Sequence, residues 1–131
     1  MIYLNINRDY LIEIICRFDV PFCGNKFELV PTEKTMTFYK DDRNSGTIYL
    51  LLHGWKKELS LKLAILCPSK KVEEYTPRLI GIEDDTFIFK VSLTDDTLAT
   101  VGKHEFQLFA QSRDGKTLSS DIGKFKVKSC L

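Results

Sequence analysis

Apolar residues in this chain recur with a period of two, and the stretch from Thr86 to Gln111 shows it most clearly. Phe87, Phe89, Val91 and Leu93 fall on one side, with Thr86, Lys90 and Ser92 opposite. Aromatic and β-branched residues alternating in this way predict a half-buried strand. Thr94 or Asp95 then offers a side-chain oxygen to an unpaired first-turn amide, the usual start of a short helix. Gly102 offers its end, because a left-handed residue after a helix is cheap only without a Cβ. Phe106, Leu108 and Ala110 next share one face, with Glu105, Gln107 and Gln111 on the other. The stretch therefore reads as strand, one helical turn, strand.

The same period recurs on both sides of it. Met36 and Phe38 pair up, then Ile48, Leu50 and Leu52, then Leu61, Leu63 and Ile65. Phe125 and Val127 close the series with Lys124, Lys126 and Lys128 outward, a row suited to a solvated face and able to protect a sheet edge. The turns are written between these runs. Asp41 to Gly46 is dense in turn formers, Gly54 follows His53, and Asp114-Gly115 is a hairpin signal. Residues 68–77 are polar, end at a proline and read as a loop. About seven to nine short strands with almost no helix predict an all-β sandwich or barrel.

The N-terminal part differs. Tyr10, Ile12, Ile14, Cys16 and Phe18 alternate, yet Leu11 and Ile15 make the opposite face apolar as well. A strand wetted on one side needs only one apolar face. The second face of residues 10–18 therefore calls for a partner, within this chain or from a neighbouring copy. Pro21 and Gly24-Asn25 mark a turn, and Lys26 to Val30 reads as a short strand stopped by Pro31. On this reading residues 1–34 are an N-terminal arm or extra hairpin added to a sandwich of residues 35–131. Removing the arm should leave the sandwich folded and weaken assembly.

A chain of 131 residues accommodates one domain. Its net charge of +1, from 19 basic and 18 acidic residues, supplies no field to gather nucleic acid or an anionic membrane. No apolar run approaches the ~20 residues of a membrane span, and the first residues lack the basic-then-apolar pattern of a secretory signal. Without such a signal, Cys16, Cys23, Cys67 and Cys130 are expected as free thiols, although their even number permits two disulfides. His53 and His104 stand far apart with no ligand at metal spacing. No serine lies in a Gly-x-Ser-x-Gly elbow, and each acidic pair sits where a turn wants aspartate. No catalytic constellation and no cofactor are therefore expected. The lone tryptophan, Trp55 beside Gly54, suits either a contact anchor or the closing of the sandwich end.

Several features stand in a recognisable order: Asp42-Arg43-Asn44-Ser45-Gly46 leading into Thr47-Ile48-Tyr49-Leu50, a Leu-rich strand, a proline-bearing loop, Phe87 to Val91, a helical turn, Val101-Gly102 with its strand to Phe109, and Ser119-Ser120 with Phe125-Lys126-Val127. With these, residues 36–128 resemble the N-terminal immunoglobulin-like domain of phage baseplate upper proteins. That family links receptor-binding proteins to the tail baseplate in phages of Gram-positive bacteria. The resemblance implies an immunoglobulin-like antiparallel β-sandwich with one short helical turn. It also implies a non-enzymatic module of a tail baseplate or tail fibre, assembled in the bacterial cytoplasm and residing in the virion. Its partners would be other phage tail or baseplate proteins, or further copies of itself, with no nucleic acid and no membrane. Members of the family usually continue into long helical or fibre regions. A sequence stopping at Leu131 is expected of a domain of a longer protein or of a small stand-alone virion or prophage protein. Candidate interface residues are Leu11, Ile15 and Trp55. The alternative is a carbohydrate-binding or adhesion sandwich, with Trp55, Tyr75 and Tyr49 as stacking candidates.

Overall fold

Burial alternates residue by residue along Ser60–Leu66, Gly102–Gln111 and Gly123–Lys128, as the sequence period requires. The computed structural model describes residues 6–18, 25–40 and 46–129, Asp95 without its side chain. After a 3-10 turn at Arg8–Tyr10 come β1 (Leu11–Arg17), β2 (Lys26–Leu29), β3 (Met36–Tyr39), β4 (Thr47–His53), β5 (Ser60–Leu66) and β6 (Val72–Tyr75). They are followed by β7 (Arg78–Glu83), β8 (Thr86–Ser92), α1 (Asp95–Leu98), β9 (Gly102–Gln111), β10 (Thr117–Ser119) and β11 (Gly123–Lys128). The chain is an all-β sandwich. One sheet runs β2-β1-β4-β8-β7; the other runs β3-β11-β9-β5-β6, with β10 beside β9.

Both sheets are mixed. Two pairings, β1 with β4 and β3 with β11, are parallel, and the other pairings are antiparallel. The antiparallel expectation missed these two because neither pair is joined by a hairpin that would reveal it in sequence. The lysine row of β11 is not at an edge either: β11 lies between β9 and β3, so its lysines line the outer face of an inner strand. Val72–Tyr75, read as loop, is the edge strand β6.

The core lies between the sheets. Ile14, Leu50 and Leu52 from one side and Leu63, Ile65, Leu108 and Phe125 from the other are fully buried. Each such side chain contributes about 1.5–3 kcal/mol relative to exposure. Phe38 meets Phe125 edge-on at 5.3 Å, and Tyr10 leans on Phe38 at 5.0 Å. The expected N-terminal hairpin is present as β1–β2, paired antiparallel through Ile14 and Leu29. It does not have a core of its own, since Ile12, Ile14, Cys16 and Phe27 belong to the same cluster as Leu50, Leu63 and Phe125.

The β8–α1–β9 unit takes the predicted form, with different chemistry at the helix ends. Thr94 is the N-cap but makes no side-chain capping bond. Its amide instead donates to the Tyr75 hydroxyl at 3.1 Å, and its own hydroxyl meets that group at 3.1 Å. The C-cap is Ala99, in right-handed geometry. Gly102 opens β9 at φ +133°, where a Cβ would also press on the Pro68 ring at 3.1 Å. The Asp114-Gly115 signal produces the β9–β10 hairpin, with Gly115 at φ +87° and the Ser112 amide donating to the Lys116 carbonyl. The turns read at residues 41–45 and 21–24 lie outside the described residues.

Candidate functional site

Positions of opposite parity to the core strands build the outer face of the five-stranded sheet. β1 contributes Leu11, Glu13 and Ile15, and β4 contributes Tyr49, Leu51 and His53 in register with them. β8 adds Thr86, Ile88 and Lys90 opposite His53, Leu51 and Tyr49. Leu51 and Ile88 are buried here, although they point away from the main core. Ile6 covers them, folding back from the N-terminal segment, with Leu11, Tyr49 and Ile80 packed around it. Asn7 holds that segment's exit by accepting the Asp9 amide at 3.0 Å. The second apolar face of β1 thus finds its partner within the chain at Leu11, while Ile15 stays 40% exposed.

A polar chain crosses the same face beside Ile15. His53 shares one hydrogen bond with Thr86 Oγ1 at 2.9 Å through Nδ1 and one with Glu13 Oε2 at 3.0 Å through Nε2. Carboxylate, imidazole and hydroxyl in line is the order that activates a nucleophile in some hydrolases. Here the hydroxyl lies in a strand paired on both edges. The arrangement fastens β1, β4 and β8 together by side chains. Among the described residues no group of three or more His, Cys, Asp or Glu is placed to hold a metal ion.

The three candidate interface residues separate. Leu11 and Ile15 lie on the outer face, half-buried and exposed respectively. Trp55 does not: it is 5% exposed, ringed by Phe18 at 5.9 Å, Phe27 at 6.1 Å and Phe89 at 6.2 Å. Its ring closes the end of the sandwich because Gly54, at φ +83°, turns the chain inward against the Cys16 carbonyl, 2.4 Å from where a Cβ would sit. Of the stacking candidates, Tyr75 spends its hydroxyl on Thr94 and Thr97. Tyr49 alone remains on the outer face.

His104 is fully buried, stacked on Phe125 at 4.8 Å. Its Nδ1 faces the Gly102 carbonyl at 3.1 Å and its Nε2 the Thr97 carbonyl at 3.0 Å, so it pins α1 to β9. A neutral ring donates to only one of them. Cys16 and Cys67 are free and buried; Cys23 and Cys130 lie outside the described residues. Burial pushes the Cys16 thiol up to about 12. Cys67 is raised too, first by burial and then by Glu73, against the opposing charge of Lys71. Among the described residues no helix is long and apolar enough to cross a membrane. Sequence reasoning missed the Leu51–Ile88 patch and the Glu13–His53–Thr86 chain. Their signal was present as apolar and polar residues of outward parity on neighbouring strands, but it needs the strand register to be read.

The fold thus defines an all-β sandwich whose distinguishing surface is one sheet face, part apolar and part polar. No family model matches the chain, and no curated protein matches it either.

Proposed function

We propose that this protein is a non-enzymatic structural module of a bacteriophage or prophage tail, in the baseplate or a tail fibre, acting through protein–protein contacts in virion assembly. The observation that carries the reading is the β8–α1–β9 unit with its Val101-Gly102 lead-in. It stands in the order found in the immunoglobulin-like domain of baseplate upper proteins. Glycine at that lead-in has a physical reason here, since φ is +133° and the Pro68 ring stands close. The contact surface on this reading is the outer face around Leu11 and Ile15, where an exposed isoleucine adjoins a polar chain. Apolar exposure rimmed by polar groups is the pattern of an association site. The test is the genomic neighbourhood: genes for tail proteins are expected on both sides. Flanking genes of metabolism or transport, with no virion protein nearby, would overturn the reading.

A further inference from the structure

Arg78 and Lys90 stand directly opposite each other across the β7–β8 ladder. Like charges in that position destabilise a sheet, so a fold that keeps them has a reason to look for a counter-charge. The ion pairs among the described residues join Glu13 to His53, Glu73 and Asp96 to Lys71, and Asp114 to Lys116. None reaches Arg78 or Lys90.

The pair borders a crevice of about 320 Å³ lined also by Tyr75, Thr76, Val91 and Ser92. Pairing of β7 with β8 ends at Arg78 and Lys90, and the crevice opens just beyond it. The backbone supplies a donor there. The Leu93 amide donates to the Gly46 carbonyl on the β4 side at 2.6 Å. Successive amides of a strand point to opposite edges, so the Ser92 amide points to the β7 side, into the crevice. Arg78, Lys90, Thr76 and Ser92, with the Ser92 amide, thus border one opening. Tyr75, whose hydroxyl is held by Thr94 and Thr97, lines the same opening with its ring.

We propose that this crevice binds an oxyanion, a carboxylate or a phosphate, carried on a small hydroxylated ligand. Guanidinium and ammonium groups supply charge-assisted bonds to such an oxygen, while hydroxyls and the tyrosine ring accept the polyol around it. The site is independent of the assembly role. The molecule also contains a control. Lys103 and Lys126 are another cross-strand pair of like charge, as are Arg17 and Lys26, and both lysines of the former are exposed on the face of the other sheet.

The test is a titration followed by ¹⁵N-amide NMR at low ionic strength, using inorganic phosphate, glucuronate and, as the neutral comparison, glucose. Phosphate and glucuronate are expected to shift the Arg78, Lys90 and Ser92 amides saturably, and glucose not to. Arg78→Gln or Lys90→Gln should weaken binding about tenfold, the worth of one charge-assisted bond, while Lys126→Gln leaves it unchanged. Tighter binding of glucuronate than phosphate, with the gain lost in Tyr75→Leu, assigns the oxyanion to an acidic sugar. Phosphate binding at least as tight, indifferent to Tyr75→Leu, assigns it to a phosphate ester. Linear, unsaturable shifts, or a loss in Lys126→Gln equal to that in Lys90→Gln, would overturn the proposal by reducing it to general screening.

Discussion

Ile88 and Phe89 are neighbours that point to opposite sides of one sheet, and both are buried. Phe89 belongs to the main core beside Trp55. Its truncation to Ala is expected to cost about 3–5 kcal/mol. Ile88 belongs to the small cluster under Ile6, and Ile88→Ala should cost about 2–5 kcal/mol because that cluster is as dry as a core. Leu79→Ala, at a site 45% exposed, should stay within about 0.5 kcal/mol. Chemical denaturation of the three variants checks the set; a near-neutral Ile88→Ala would show that the outer face is wet. The inward position of Phe89 was legible from alternation. The burial of Ile88 on the outer face was not, since one apolar residue at a polar-face position carries no period.

Cys16 belongs to the same scale. Its ordinary value of 9.0 rises to about 12 through burial, so the folded state holds the thiol proton more tightly than the unfolded chain. The stability this contributes is complete below pH 9 and is lost as the pH climbs toward 12, because the unfolded chain then releases the proton first. Thermal melts above pH 9 should therefore fall more steeply in the parent than in Cys16→Ala. Equal slopes would show that the thiol is not buried. In denaturant without reductant, a thiol reagent should titrate all four cysteines of the sequence, and fewer would reveal a disulfide.

At the scale of elements, the N-terminal hairpin is the informative case. Its strands were legible, down to the stop at Pro31 and the two apolar faces of β1. Its placement was not, because parallel pairing of β1 with β4 depends on a partner far along the chain. That placement changes the expectation for a chain starting at Thr35. Such a chain loses Ile12, Ile14, Cys16 and Phe27 from the shared core and bares the flank of β4, including Leu50 and Leu52. It is expected to lose its cooperative melt instead of surviving as a smaller sandwich. A sharp thermal transition in the shortened chain would restore the view of residues 1–34 as a detachable arm. β6 escaped the sequence for the opposite reason. Val72-Glu73-Glu74-Tyr75 has too little apolar alternation to register as a strand, and its pairing along β5 supplies the order.

At the scale of the whole molecule, the sandwich presents one face on which apolar and polar side chains were arranged by register. The class of fold followed from period two and turn chemistry, but this face did not, since it is composed of residues from three strands brought together only by pairing. If the face is the assembly surface, Ile15→Asp should leave the melt within about 1 kcal/mol of the parent, the residue being 40% exposed. It should nevertheless lower the amount of this chain carried by purified tails. The most direct measurement is electron microscopy of purified phage particles with gold-labelled antibody against this protein. Label at the baseplate or fibre end of the tail is the expected result. Unlabelled particles, with the protein recovered only in the fraction free of virions, would contradict the account.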